Sequence, residues 1–111
     1  MSISISFEDF SKLDLRIGTI VKVSNFEEAY KPAYKLTIDF GDLGIKKSSA
    51  QITSIYSEED LLYKQIVANV NFPNKQIANF FSQCLVLGVI EKSKVILLSP
   101  EKSVPNGSRV C

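Results

Sequence analysis

Apolar and polar residues alternate along LDLRIGTIVKV. Leu15, Ile17, Thr19, Val21 and Val23 form one set, and Arg16, Gly18, Ile20 and Lys22 the other. Period two with β-branched residues predicts a strand. Gly18 inside it predicts a bulge or a sharp bend. The alternation returns in YKLTIDF, with Tyr34, Leu36, Ile38 and Phe40 on one side and Lys35, Thr37 and Asp39 on the other. Gly41 and Gly44 bracket a turn before GIKKSSAQIT, residues 44–53. Taken as a strand, that stretch puts Ser48, Ala50 and Ile52 on one face and Lys47, Ser49, Gln51 and Thr53 on the other. The first set is small enough for a tight barrel interior, which larger side chains would overfill. The second is a polar ribbon open to a ligand.

Two serines mark helix starts. Ser6 precedes Asp9, and Ser57 precedes Asp60, each by three residues, the spacing of a capping box. The first predicts a short helix with Phe7, Phe10 and Leu13 near one face. The second leads Leu61 and Leu62 into another. KQIVANVNF predicts a buried strand ended by Pro73, and CLVLGVI with KVILLS predicts a hairpin across Glu91–Lys94. Pro105-Asn106-Gly107 predicts a turn. No repeat, low-complexity segment or linker interrupts this order, so residues 1–111 are expected to form a single domain. Several short strands with a helix after the third fit an all-β, five-stranded OB-fold barrel, with a short N-terminal helix and a C-terminal extension. A bent first strand suits it, because that strand must serve two edges.

Composition narrows the chemistry. Hydrophobic residues make up 45% and charged residues 23% of 111 residues, ordinary for a globular domain. Thirteen Lys and Arg against 12 acids leave a net charge of +1, so only local clustering could favour nucleic acid. Histidine is absent, which removes the commonest general base and metal ligand. Cys84 and Cys111 fit no metal spacing and no C-x-x-C motif. Cys84, in an apolar run, reads as a small buried thiol, and Cys111 as an exposed last residue. A disulfide between them is disfavoured in the reducing cytosol. There is no His-containing triad and no phosphate-binding loop. Glu27-Glu28 and Glu58-Glu59-Asp60 read as a solvated turn and a helix N-terminus. No catalytic residue, cofactor or metal is expected. MSISISFEDF lacks the basic start and apolar core of a signal peptide. No apolar run approaches the roughly 20 residues that span a bilayer. The expectation is a cytoplasmic protein without membrane insertion.

The lysines are more telling. Lys31, Lys35, Lys46 and Lys47 fall on or beside the second and third strands, and a hairpin would gather them, partly offset by Asp39 and Asp42. Tyr30 and Tyr34 lie among them and could stack on bases. Each lysine–phosphate contact would add salt-dependent affinity. Composition alone favours a plainer alternative, a solvated lysine face with the tyrosines filling the barrel.

FSKLDLRIGTIVKV with KLTIDFG, and VNFPNKQIANFFSQCLVLG, resemble the two signatures of the tRNA-binding domain. That domain occurs alone and as an appendage on some methionyl- and phenylalanyl-tRNA synthetases. The resemblance runs from Phe7 to Val110. IDFGDLGIKKSSAQIT and VPNGSRV resemble one branch in particular, the secretion-associated chaperones of the CsaA type. Ser49-Ala50 stands where stand-alone tRNA-binding members tend to show Ser-Gly. The resemblance implies a non-enzymatic barrel that works as a homodimer, with residues 1–13 and 100–111 helping to build the dimer. Phe7, Phe10 and Leu13 would then pack across the interface, or else within one chain. It implies binding of unfolded or presecretory polypeptides. The alternatives are tRNA recognition by shape, and recruitment of RNA or a synthetase to a larger complex. Asn71 and Pro73 match the family's Asn-x-Pro turn, Ser82 its serine, and Lys46 and Lys47 its basic residues before the third strand. Asn79 stands where glycine is usual, Leu85 where methionine is usual, and Lys75 supplies one charge in a loop that is often more basic. The expected binding surface comprises Lys31, Tyr34, Lys35, Lys46, Lys47, Ser49, Gln51, Asn71, Lys75, Asn79 and Ser82.

Overall fold

A computed structural model describes residues 3–111, so the first two residues of the N-terminal extension lie outside the described part. In chain order the elements are α1 (Phe7–Ser11), β1 (Leu15–Asn25), β2 (Tyr34–Asp39), a 3₁₀ turn (Gly41–Leu43), β3 (Ile45–Ala50) and α2 (Glu58–Leu61). They continue with β4 (Gln65–Asn69), β5 (Lys75–Ile77), β6 (Phe80–Ser82), β7 (Leu85–Val86), β8 (Gly88–Glu91), β9 (Lys94–Leu97) and β10 (Arg109–Val110). Both capping boxes form, Ser6 with Asp9 and Ser57 with Asp60. Leu61 is fully buried, whereas Leu62 falls just past α2 and is exposed.

β1 serves two edges, as the bent first strand should. Leu15–Thr19 pair with β4, and Thr19–Asn25 pair with β2. The irregularity lies between Ile20 and Lys22, at Val21 and not at Gly18. That extra residue reverses the alternation: Ile20 before it and Val23 after it both face the core, and Val21 turns outward. Gly18 answers a different need. A Cβ there would come 2.6 Å from Ile38 Cγ2 and 2.7 Å from the Phe40 ring, so a glycine lets the core close onto the backbone.

The sheet runs β3-β2-β1-β4-β7, with β10 added against Leu15 and Arg16 of β1. The gap between β3 and β7 is bridged by the segment just before β7. Gln83 N–H donates to the Lys47 carbonyl (2.7 Å), and Lys47 N–H donates to Gln83 Oε1 (2.9 Å). The Ser48 hydroxyl donates to the Cys84 carbonyl (3.0 Å). The result is the all-β, OB-type barrel, nearly closed. Its centre is Ile20, Leu36, Ile38, Phe40, Leu61, Ile66 and Ala68, all fully buried.

Several boundaries differ from the sequence pattern. β3 ends at Ala50, although Ile52 still buries its side chain. β4 stops at Asn69, before Pro73. CLVLGVI is divided: Leu85 and Val86 pair with β4, and only Gly88–Glu91 join the β8–β9 hairpin, which turns at Glu91 and Lys94 as expected. A second hairpin, β5–β6, was not anticipated. The C-terminal extension returns to the barrel. Gln65 exchanges hydrogen bonds with the Val104 backbone (2.7 and 3.1 Å), and Gly107 N–H donates to the Ile17 carbonyl (2.7 Å). Among the described residues no helix is long and apolar enough to cross a membrane.

Candidate binding surface

The pleat decides which lysines can act together. Residues directly opposite in an antiparallel pair share a face. Tyr34, Leu36 and Ile38 oppose Ala50, Ser48 and Lys46, whereas Lys35 and Thr37 oppose Ser49 and Lys47. Lys46 and Lys47 therefore point to opposite faces, and the expected four-lysine cluster does not form. Lys46 lies on the interior side near Cys84. Burial pushes the Cys84 thiol up to about 11, against the opposing pull of the Lys46 charge and the Ser48 hydrogen bond. Tyr34 offers no stacking face, because its ring is in the core and its hydroxyl donates to the Tyr56 carbonyl (2.8 Å). For this tyrosine the plainer expectation, barrel filling, is the right one.

Three more expected contacts are already engaged. Lys35 Nζ lies 3.6 Å from Glu28 and sits over the rings of Phe26 and Phe80, 4.8 and 5.5 Å from their centroids. Asn71 accepts from Asp14 N–H (3.1 Å) and donates to the Lys12 carbonyl (2.7 Å), clamping the α1–β1 junction. Ser82 Oγ accepts from Ser49 N–H (3.3 Å) and donates to the Cys84 carbonyl (3.3 Å). Asn79 is exposed, in the β5–β6 turn after Ala78, whose φ is 55°.

What does come together is a groove of about 360 Å³. Its walls are the 26–33 loop, with Tyr30 and Lys31, and the β5–β6 hairpin, with Lys75, Gln76 and Ile77. Ser49 and Gln51 form its floor. Tyr30 is 99% exposed, so its ring is wholly available to a ligand. Ser49 and Gln51 also border an apolar cavity of about 240 Å³ with Ala50, Ile52, Leu85, Val86, Val95 and Leu97. A third cavity, about 270 Å³, joins Phe72, Pro73, Lys75, Ser82, Cys84 and Leu85. Shared residues make these one surface around β3, basic at the Tyr30 end and apolar at the Leu85 end. The apolar lining was missed in the sequence. Leu85 stood out there only as a replacement for the usual methionine, and Val95 and Leu97 only as hairpin residues.

In the N-terminal extension, α1 buries none of its residues. Phe7, Phe10 and Leu13 line a cavity of about 230 Å³ with Ser11, Arg109, Val110 and Cys111. Phe7 is 79% exposed. The Arg109 guanidinium donates to the carbonyls of Ser11 (3.2 Å) and Leu13 (3.3 Å), joining the two extensions.

The tRNA binding domain family model matches residues 15–109. A chaperone CsaA structure from Bacillus anthracis is 53% identical, with a TM-score of 0.93, covering 98% of this chain and 100% of that one. The chain belongs to the tRNA-binding-domain family, in its CsaA branch. A CsaA chaperone structure from Picrophilus torridus is 54% identical, with a TM-score of 0.91, covering 97% of this chain and all of that one. Family membership also extends to large enzymes. The methionine–tRNA ligase of Pyrococcus furiosus is 38% identical over 106 residues, 96% of this chain but 14% of the ligase. The likeness thus concerns one binding domain within those ligases. In this CsaA-branch chain the same domain carries the composite basic and apolar surface.

Proposed function

We propose that the protein is a non-enzymatic, CsaA-type chaperone that holds unfolded or presecretory polypeptides in the apolar cavities beside β3. The observation that carries this reading is the row of Ile52, Leu85, Val86, Val95 and Leu97 beside the polar Ser49 and Gln51. An extended peptide needs that combination, apolar pockets for alternate side chains next to hydrogen-bonding groups. On this reading the protein works in the cytoplasm as a homodimer. Two copies of the surface then add avidity, and the α1 face with Phe7, Phe10 and Leu13 lies between subunits. The test is suppression of aggregation of a chemically denatured client, together with binding to a peptide array. Suppression with apolar array hits supports the reading, and failure of both contradicts it.

Tyr30, Lys31 and Lys75 favour a second activity, tRNA binding at the basic end. Stacking on an exposed ring is tolerant of sequence, and two lysines neutralise few phosphates, so affinity should be modest and salt-sensitive. Filter binding of tRNA at rising salt checks it. Replacing Lys31 and Lys75 together with alanine should weaken binding and flatten the salt dependence. A salt-insensitive interaction would contradict it.

A further inference from the structure

The two walls of the Tyr30 groove belong to separate pieces of the chain. One is the loop from Phe26 to Ala33, closed on itself by Phe26 N–H to the Ala33 carbonyl (3.0 Å). The other is the β5–β6 hairpin, tied to β3 at its base through Ser82 and Ser49. Among the described residues no hydrogen bond joins loop to hairpin. Their link is aromatic: Phe26 and Phe80 meet edge to face, with centroids 5.2 Å apart. Lys35 lies over both rings, 4.8 and 5.5 Å from the centroids. Its ion pair with Glu28 is 3.6 Å long, and Glu28 is half exposed, so that pair alone holds little. The cation over two rings is the stronger tie.

We propose that Lys35 is a positioning residue. It latches the Phe26–Ala33 loop to the β5–β6 hairpin and so fixes the spacing between Tyr30 and Lys31 on one wall and Lys75 and Gln76 on the other. Its charge is spent within the protein. The ligand therefore meets Lys31 and Lys75, and Lys35 acts on it only through groove width. This inference builds on the tRNA reading above, but part of its test is independent of any ligand.

That part is NMR of the intact protein. Ring currents from Phe26 and Phe80 should shift the Lys35 ε-methylene signals upfield. Lys35→Met should speed exchange of the Phe26 and Ala29 amides, which close the loop, and Lys35→Arg, which keeps a cation over the rings, should restore protection. The second part is tRNA titration. Lys35→Met should lower affinity about fivefold, the scale of the lost cation–ring contacts, with an unchanged salt slope. Phe80→Leu, which removes no charge, should give a similar loss, and the two changes together should be less than additive. An ordinary lysine ε-methylene shift overturns the latch. So does a Lys35→Met protein with intact exchange protection and a salt slope reduced by one phosphate contact. If the unmodified protein binds no tRNA, the RNA reading fails, and the NMR results decide the latch alone.

Discussion

At Gly18 a single absent side chain sets how closely the core approaches β1. An added Cβ would lie under 3 Å from both Ile38 and Phe40, which are fully buried and held on a paired strand and its end. Gly18→Ala should therefore destabilise the fold by about 1–3 kcal/mol, the range for overpacked cores, read as a lower urea midpoint. The sequence marked Gly18 as special but assigned it a bulge or a sharp bend, because a glycine in a strand signals either a bulge or a close approach and the pattern does not distinguish them. Cys84 is another residue whose behaviour comes from its surroundings. Burial raises its thiol from 9.0 to about 11. At pH 8 an alkylating reagent should modify the exposed Cys111 first and Cys84 only on unfolding. Equal rates in the native protein would contradict this. Raising a thiol pKa by folding stabilises the protein below pH 9. That stability, about 2–3 kcal/mol at most, is lost as pH climbs from 9 to 11, because the unfolded chain releases its proton first. Cys84→Ala should show a shallower decline over that window in parallel urea titrations.

At the level of elements, those with local signals were legible. Both capping boxes, the β2 alternation and the β8–β9 turn depend on neighbours a few residues apart, and all appear where the pattern put them. Features set by distant partners were not legible. The bulge at Val21 arises because β1 must satisfy β4 and β2 in succession. The β5–β6 hairpin is three residues a side, too short for a periodic signal, and is held by Ser82 on β3 and by Phe80 against Phe26. The candidate site suffered most from this limit. Lys31, Ser49, Gln51 and Lys75 do share a groove, but Tyr34, Lys35, Asn71 and Ser82 are drawn into the fold by partners that only the three-dimensional pairing supplies, and the pleat turns Lys46 away from Lys47. Asn71 gives the clearest test. Its two bonds fasten Lys12 and Asp14, where α1 meets β1. Asn71→Ala should cost about 1–3 kcal/mol, the scale for two lost hydrogen bonds, and accelerate amide exchange around residues 10–14 while leaving the groove intact. Loss of ligand binding with unchanged exchange would instead make Asn71 a contact residue.

For the whole molecule, polarity is divided between two ends of one surface. A net charge of +1 provides little long-range attraction for RNA. What recognition there is must come from Tyr30, Lys31 and Lys75 at short range, whereas the apolar cavities around Leu85 need no charge. The α1 face, with Phe7 79% exposed on a helix that buries nothing, is the one proposed to meet a second copy. Sedimentation should give a dimer, and Phe7→Asp with Phe10→Asp a folded monomer. A monomer before substitution would contradict that arrangement. The central claim is that a polypeptide occupies the apolar end. Leu85 lines two of the three cavities around β3 and is 47% exposed, so it can be changed without emptying the core. The direct measurement is fluorescence anisotropy of a labelled, unfolded apolar peptide titrated with the protein and with Leu85→Glu. The unmodified protein should bind, and Leu85→Glu should bind at least tenfold more weakly, about 1.4 kcal/mol, with the same unfolding midpoint. No binding by the unmodified protein, or equal binding by Leu85→Glu, would contradict the account.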